Sequence, residues 1–167
     1  MGDDISKKLS TLLWAGLALV AVLTICSWAL IAMVHVDDTY RVGHVSGAWL
    51  ALADYVNDGT LYPPLFDGNA FGGTRYMPLQ ILAYAGAADV VGSDVLAAKL
   101  VVYTTAILLF AVIFLILGTW GCPIVLRLGL LAALLASFTG FWAATAVSGD
   151  TLPLLLQLTA VALATRV

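Results

Sequence analysis

The sequence predicts an all-α integral membrane protein, and three observations carry that prediction. Mean hydropathy is +1.04, with 62% hydrophobic and 10% charged residues. Three largely uncharged stretches are each long enough to cross a bilayer, and most of the polar residues gather in one segment after the first of them. A water-soluble core does not absorb so much apolar surface. A hydrocarbon layer about 30 Å thick needs roughly 20 apolar residues at about 1.5 Å rise per residue.

The first stretch is 11–34, the second about 95–117 and the third about 124–147, each apolar on all sides. Lipid offers the backbone no hydrogen bonds, so each is expected to be a helix. A fourth stretch, 151–165, would cover only about 23 Å and reads as a short span. Another short one, 79–91, follows Pro78 and carries Asp89, as a re-entrant or interfacial helix would. The expected architecture is one membrane domain over 1–167, with three full spans, a short fourth and a large outer loop, 35–94.

Basic residues near span ends are retained on the cytoplasmic side. Lys7 and Lys8 precede the first stretch, Arg127 lies near the turn between the second and third, and Arg166 follows the fourth. The expected protein is therefore a multi-pass cell-membrane protein with a cytoplasmic N-terminus. Arg41, Arg75 and Lys99 stay outside with eight of the ten Asp, and Trp28 and Trp142 are expected at the outer headgroup level. The first apolar run is too long for the core of an ordinary signal peptide and reads as an uncleaved anchor. Cys26, inside the first span, and Cys122, in an inner turn, are expected to be free thiols. No phosphate-binding glycine loop, Cys/His metal framework or basic cluster for nucleic acid occurs.

The outer loop opens on His35-Val36-Asp37-Asp38-Thr39-Tyr40-Arg41, two adjacent carboxylates at the mouth of the first helix. They could act as a general base, as metal ligands or as plain interfacial polar groups. His35, Asp37, Asp38 and His44 lie close in sequence, so a divalent metal is possible, although their spacing matches no standard site. Val45, Trp49, Leu52 and Val56 then recur at helical spacing, and Gly59 suits a C-terminal cap. This amphipathic helix is expected to lie on the membrane surface or on the spans. The segment 61–79, with Tyr62-Pro63-Pro64 and Gly72-Gly73-Thr74-Arg75-Tyr76-Met77-Pro78, is a shaped loop of prolines, glycines and aromatic rings.

A first span, acidic residues just beyond it, a helix ending "DGTLYPP", then "GGTRYMPL", Lys99 at the start of the next span and Gly149-Asp150 before the fourth together resemble the N-terminal part of GT-C superfamily membrane glycosyltransferases. Order and spacing over nearly the whole chain carry the resemblance, since each piece is loose. It implies transfer of a sugar from a polyprenyl-phosphate carrier to an acceptor on the outer face, with the sugar donor and membrane lipid as partners. The family's carboxylate after the first span corresponds to Asp37 or Asp38. By the same resemblance Arg75 and Lys99 are the candidates for the carrier phosphate, and Tyr62 and Tyr76 for the sugar pocket. Lys99 could equally snorkel to headgroups. Family members have many more spans, so a remaining GT-C part or another membrane subunit is an expected partner, and the isolated chain is expected to be inactive. The alternative is a non-catalytic membrane scaffold that binds a partner through its outer loop.

Overall fold

The structure is a computed structural model and describes residues 2–64, 66, 67, 70, 71 and 78–164. Among these residues the fold is helical except for one short antiparallel ladder. The helices are α1 (Gly2–Val34), α2 (His44–Asn57), α3 (Pro78–Val91), α4 (Asp94–Thr119), α5 (Ile124–Ala136), α6 (Phe138–Thr145) and α7 (Thr151–Ala164). The ladder pairs β1 (Phe66–Asp67) with β2 (Ala70–Phe71) between α2 and α3.

Two helices are long and apolar enough to cross a membrane, α1 over Ile5–Val34 and α4. α5 and α6 together make a third if the pair counts as one span, but they meet at 83°. The continuous helix expected over 124–147 is therefore interrupted, and the cause is local. Ser137 leaves the helical region at ψ 147, donates its Oγ hydrogen to the Leu134 carbonyl at 2.6 Å, and accepts the Gly140 amide at 3.0 Å as the N-cap of α6. A Cβ on Gly140 would stand 2.0 Å from the Leu134 carbonyl oxygen, so the bend needs a residue without a side chain. The short segments 79–91 and 151–165 appear as the apolar helices α3 and α7.

α4 is the hub, packed against α2, α3, α5, α6 and α7, while α1 lies along α5. Its inner face carries Ala97, Ala98 and Ala106, all fully buried, and small side chains let neighbouring helices approach closely. The core continues through Ile81 and Tyr84 of α3 and Leu52 of α2. Trp28, expected at headgroup level, is buried in this core, edge-on to Tyr103 at 6.3 Å and to Phe110 at 6.1 Å.

α2 lies on protein. Its buried face is Ser46, Trp49, Leu52 and Ala53, turned toward α3 and α4. The apolar stripe is thus rotated from the expected one, and Val45 is exposed. At its start the Gly43 amide donates to Ser46 Oγ at 3.1 Å, which is the half of a capping box open to a glycine N-cap. At its end the Gly59 amide donates to the Val56 carbonyl and the Thr60 amide to the Tyr55 carbonyl, a Schellman closure with Gly59 at φ 84. The glycine cap expected from the sequence is in place.

Candidate functional site

The C-terminal end of α1 runs into a tight loop over 35–43. The Val42 amide donates to the Thr39 carbonyl at 3.0 Å, and Arg41 takes the left-handed conformation at φ 62. Asp38 shapes the turn from within: its Oδ1 accepts the Tyr40 amide at 2.8 Å, the reach of an Asp side chain to the backbone two residues on. Its Oδ2 lies 2.6 Å from His35 Nδ1. The His35 ring stacks on Tyr40, with centroids 4.2 Å apart and planes inclined by 24°. The hydrogen bond to His35, then the one from the Tyr40 amide, hold the Asp38 carboxyl below its ordinary range despite some desolvation.

Lys99, in the second turn of α4, closes the loop from beneath. The residue is fully buried, and its Nζ donates to the backbone carbonyls of His35, at 3.2 Å, and Tyr40. The ammonium also lies 5.7 Å from the Tyr40 ring centroid and 5.9 Å from that of Tyr103. The side chain therefore turns inward to the loop and does not snorkel to headgroups. Two of its three donors are spent on the chain's own carbonyls.

Arg41 is a residue that sequence reasoning passed over. Its guanidinium carbon sits 5.1 Å from the Tyr40 ring, 5.4 Å from Phe141 and 5.2 Å from Trp142, bringing the 35–43 loop onto α6. Its Nε is buried with no hydrogen-bond partner among the described residues. The adjacent aromatic pair Phe141-Trp142 was the signal, but nothing local to 35–43 announces that α6 will lie beside it.

Of the remaining candidates, Asp37 is exposed on the same loop and Tyr62 is half-buried against the core. Arg75 and Tyr76 lie outside the described residues. Among the described residues no three His, Cys, Asp or Glu side chains converge, so the possible metal finds no ligand set there. Asp54 on α2 has its carboxyl pushed up by desolvation and by Asp94 and Asp58 nearby. Asp150 borders a cleft of about 490 Å³ between α2, α3 and α7, lined also by Trp49, Gln80 and Gln157.

No family model, curated protein or solved structure matches this chain.

Proposed function

We propose that this chain forms the outer-face part of a membrane glycosyltransferase site, transferring a sugar from a polyprenyl-phosphate carrier to a hydroxyl acceptor. In this reading the protein is a multi-pass cell-membrane protein with its N-terminus inside. The α5–α6 pair is its third, broken span, and α2 and the loop around it lie outside.

The observation that supports it is the meeting of the loop after α1 with Lys99. The resemblance assigns functional roles to the acidic pair there and to a lysine 64 residues on from His35, and the two places are joined by the Lys99 Nζ bond to the His35 carbonyl. The acidic loop is thereby held in one shape at the end of a long apolar helix, as a site for a membrane-borne donor requires. Lys99 serves as the anchor of that loop. The stabilising charge at the departing phosphate falls to Arg75, the other cation named by the resemblance.

Asp37 or Asp38 is the carboxylate that serves the acceptor hydroxyl. As the acceptor proton passes to this carboxylate, directly or through a side chain the carboxylate holds, the acceptor oxygen attacks the anomeric carbon, and the electron pair of the breaking carbon–oxygen bond leaves with the lipid phosphate. The test uses native membranes containing the chain together with any subunit it binds, supplied with tritiated polyprenyl-phosphate glucose or mannose. Label is expected to move to a hydroxyl acceptor, and about a hundredfold or more of that transfer is lost in Asp38→Asn. A partner that copurifies with the outer loop, with no transfer by the wild type, would favour the scaffold instead.

A further inference from the structure

Resting on the glycosyl-transfer reading above, we infer that the proton-accepting atom is His35 Nε2 and that Asp38 is its positioning residue. Both Asp38 oxygens are already committed, Oδ2 to His35 Nδ1 at 2.6 Å and Oδ1 to the Tyr40 amide at 2.8 Å. Those two bonds favour the ionised carboxylate, which can only accept hydrogen bonds. The hydrogen between the two side chains therefore sits on Nδ1, and in the neutral ring Nε2 carries the free lone pair. Among the described residues no hydrogen bond engages Nε2, and the His35 side chain is 32% exposed.

The ring is also fixed in direction. Tyr40 stacks on one face, and Lys99 holds the backbone on both sides of the pair through the carbonyls of residues 35 and 40. Among the described residues the ring meets Asp38 and Tyr40 of its own loop, and from α4 the Lys99 ammonium reaches the backbone carbonyl of His35 and lies over the Tyr40 and Tyr103 rings. A base oriented by a third group through its far nitrogen is the arrangement that activates hydroxyl nucleophiles. In the transfer step the acceptor O–H proton passes to Nε2 as the oxygen bonds to the anomeric carbon. The carbon–oxygen bond to phosphate breaks, its electron pair leaves on the polyprenyl phosphate, and the imidazolium later gives its proton to water. Asp38 holds the imidazolium beside a negative charge throughout.

Two measurements test this, and they separate its failure from failure of the transfer reading. The full chain, labelled with ¹⁵N-histidine in nanodiscs, reports the tautomer directly; the sequence has two histidines, and His44→Gln assigns the signals. Nδ1 is expected to be protonated and Nε2 bare, with that preference lost in Asp38→Asn; a ring protonated on Nε2 overturns the proposal. In native membranes given tritiated polyprenyl-phosphate glucose or mannose, His35→Ala is expected to lose about a hundredfold of turnover, with about tenfold restored by added imidazole. Undiminished turnover in His35→Ala, or a loss that imidazole does not relieve, overturns the assignment to His35 and leaves glycosyl transfer standing. Wild-type membranes that transfer no label overturn the transfer reading and the catalytic role with it, while the tautomer still shows whether the dyad is built as described.

Discussion

The hydroxyl of Tyr84 donates to the backbone carbonyl of Ser148 at 2.6 Å, tying α3 to the turn between α6 and α7. Both residues are buried, and Ser148 Oγ has no partner of its own among the described residues. Tyr84→Phe keeps the ring and strands the carbonyl. The expected cost is about 1–3 kcal/mol, the usual consequence of leaving one buried acceptor unpaired. Unfolding in mild detergent, followed by tryptophan fluorescence, measures it, and a variant as stable as the wild type would show that the bond contributes nothing.

The same turn depends on Gly149. A Cβ there would stand 2.1 Å from Cζ2 of Trp49, a ring that is itself buried. Gly149→Ala must push the indole out of its seat, and overpacking of this kind costs about 1–3 kcal/mol. Trp49→Leu in the same chain is expected to relieve much of the damage. Additive losses in the two single variants and the double variant would mean that the two residues do not press on each other.

Much of this fold was legible because lipid-facing helices announce themselves by composition. α4 was located almost to the residue, since the apolar run between Ser93 and Trp120, interrupted by one lysine near its start, is expected to be helical in hydrocarbon. The break at Ser137 was not legible, because Ser-Phe-Thr-Gly adds too little polarity to interrupt a hydropathy pattern; only its hydrogen bonds mark it. Asp38 was singled out from its place beyond the first span. Its tie to His35 was missed, as was the fate of Lys99, because each depends on how the loop folds back over α4. Val45 failed for a related reason: helical spacing names an apolar stripe, but the helices packed against α2 decide how far it rotates.

Two carboxyls respond to acid in opposite directions. Asp38 is lowered from 3.8, so its contribution to stability is complete above that value and disappears as pH falls through its lower folded value. Asp54 is raised from 3.8, chiefly by desolvation and then by Asp94 and Asp58, so ionising it works against the folded chain. That strain is relieved as pH falls through its folded value. Asp54→Asn is accordingly expected to stabilise at neutral pH, by at most about 0.5 kcal/mol at this exposed position, with the gain vanishing in acid. The Tyr40 amide resonance should titrate below 3.8 as its acceptor is protonated. A gain for Asp54→Asn that persisted in acid would place the effect elsewhere.

The proposed orientation rests on the charges at helix ends. Lys7 and Lys8 lie in the first turns of α1, and Arg127 lies one turn into α5, with its Nε donating to the Cys122 carbonyl at 2.6 Å. If basic residues are retained inside, the α4–α5 turn is cytoplasmic and α2 is outside. In a chain with Cys26 and Cys122 replaced by serine, Asp58→Cys is expected to react with an impermeant maleimide in intact cells. Trp120→Cys, at a position 72% exposed, is expected to react only after permeabilisation. The reverse pattern would invert the topology and put the acidic loop on the cytoplasmic face.

The strongest dependence of the site on one side chain is expected at Lys99. A fully buried ammonium is costly unless its hydrogens are met, and here the carbonyls of His35 and Tyr40 meet two of them. Lys99→Met fills similar volume without donors, so both carbonyls lose their partner, at about 1–3 kcal/mol for each that stays out of water. The loop can avoid that penalty by peeling away to solvent. The expected outcome is therefore local: faster amide hydrogen exchange over 35–43, with little change in α4 itself. Lys99→Arg is not expected to restore protection, because a planar guanidinium does not fit where an ammonium leaves no exposed surface. Because Asp38 and His35 are aligned by that same backbone, the sugar transfer proposed above is expected to fall in Lys99→Met even though Lys99 touches neither side chain's free atoms. Unchanged exchange over 35–43 in Lys99→Met would show that the loop holds its shape without the lysine, through its own turn bonds, the His35–Tyr40 stack and the Arg41 contacts with α6.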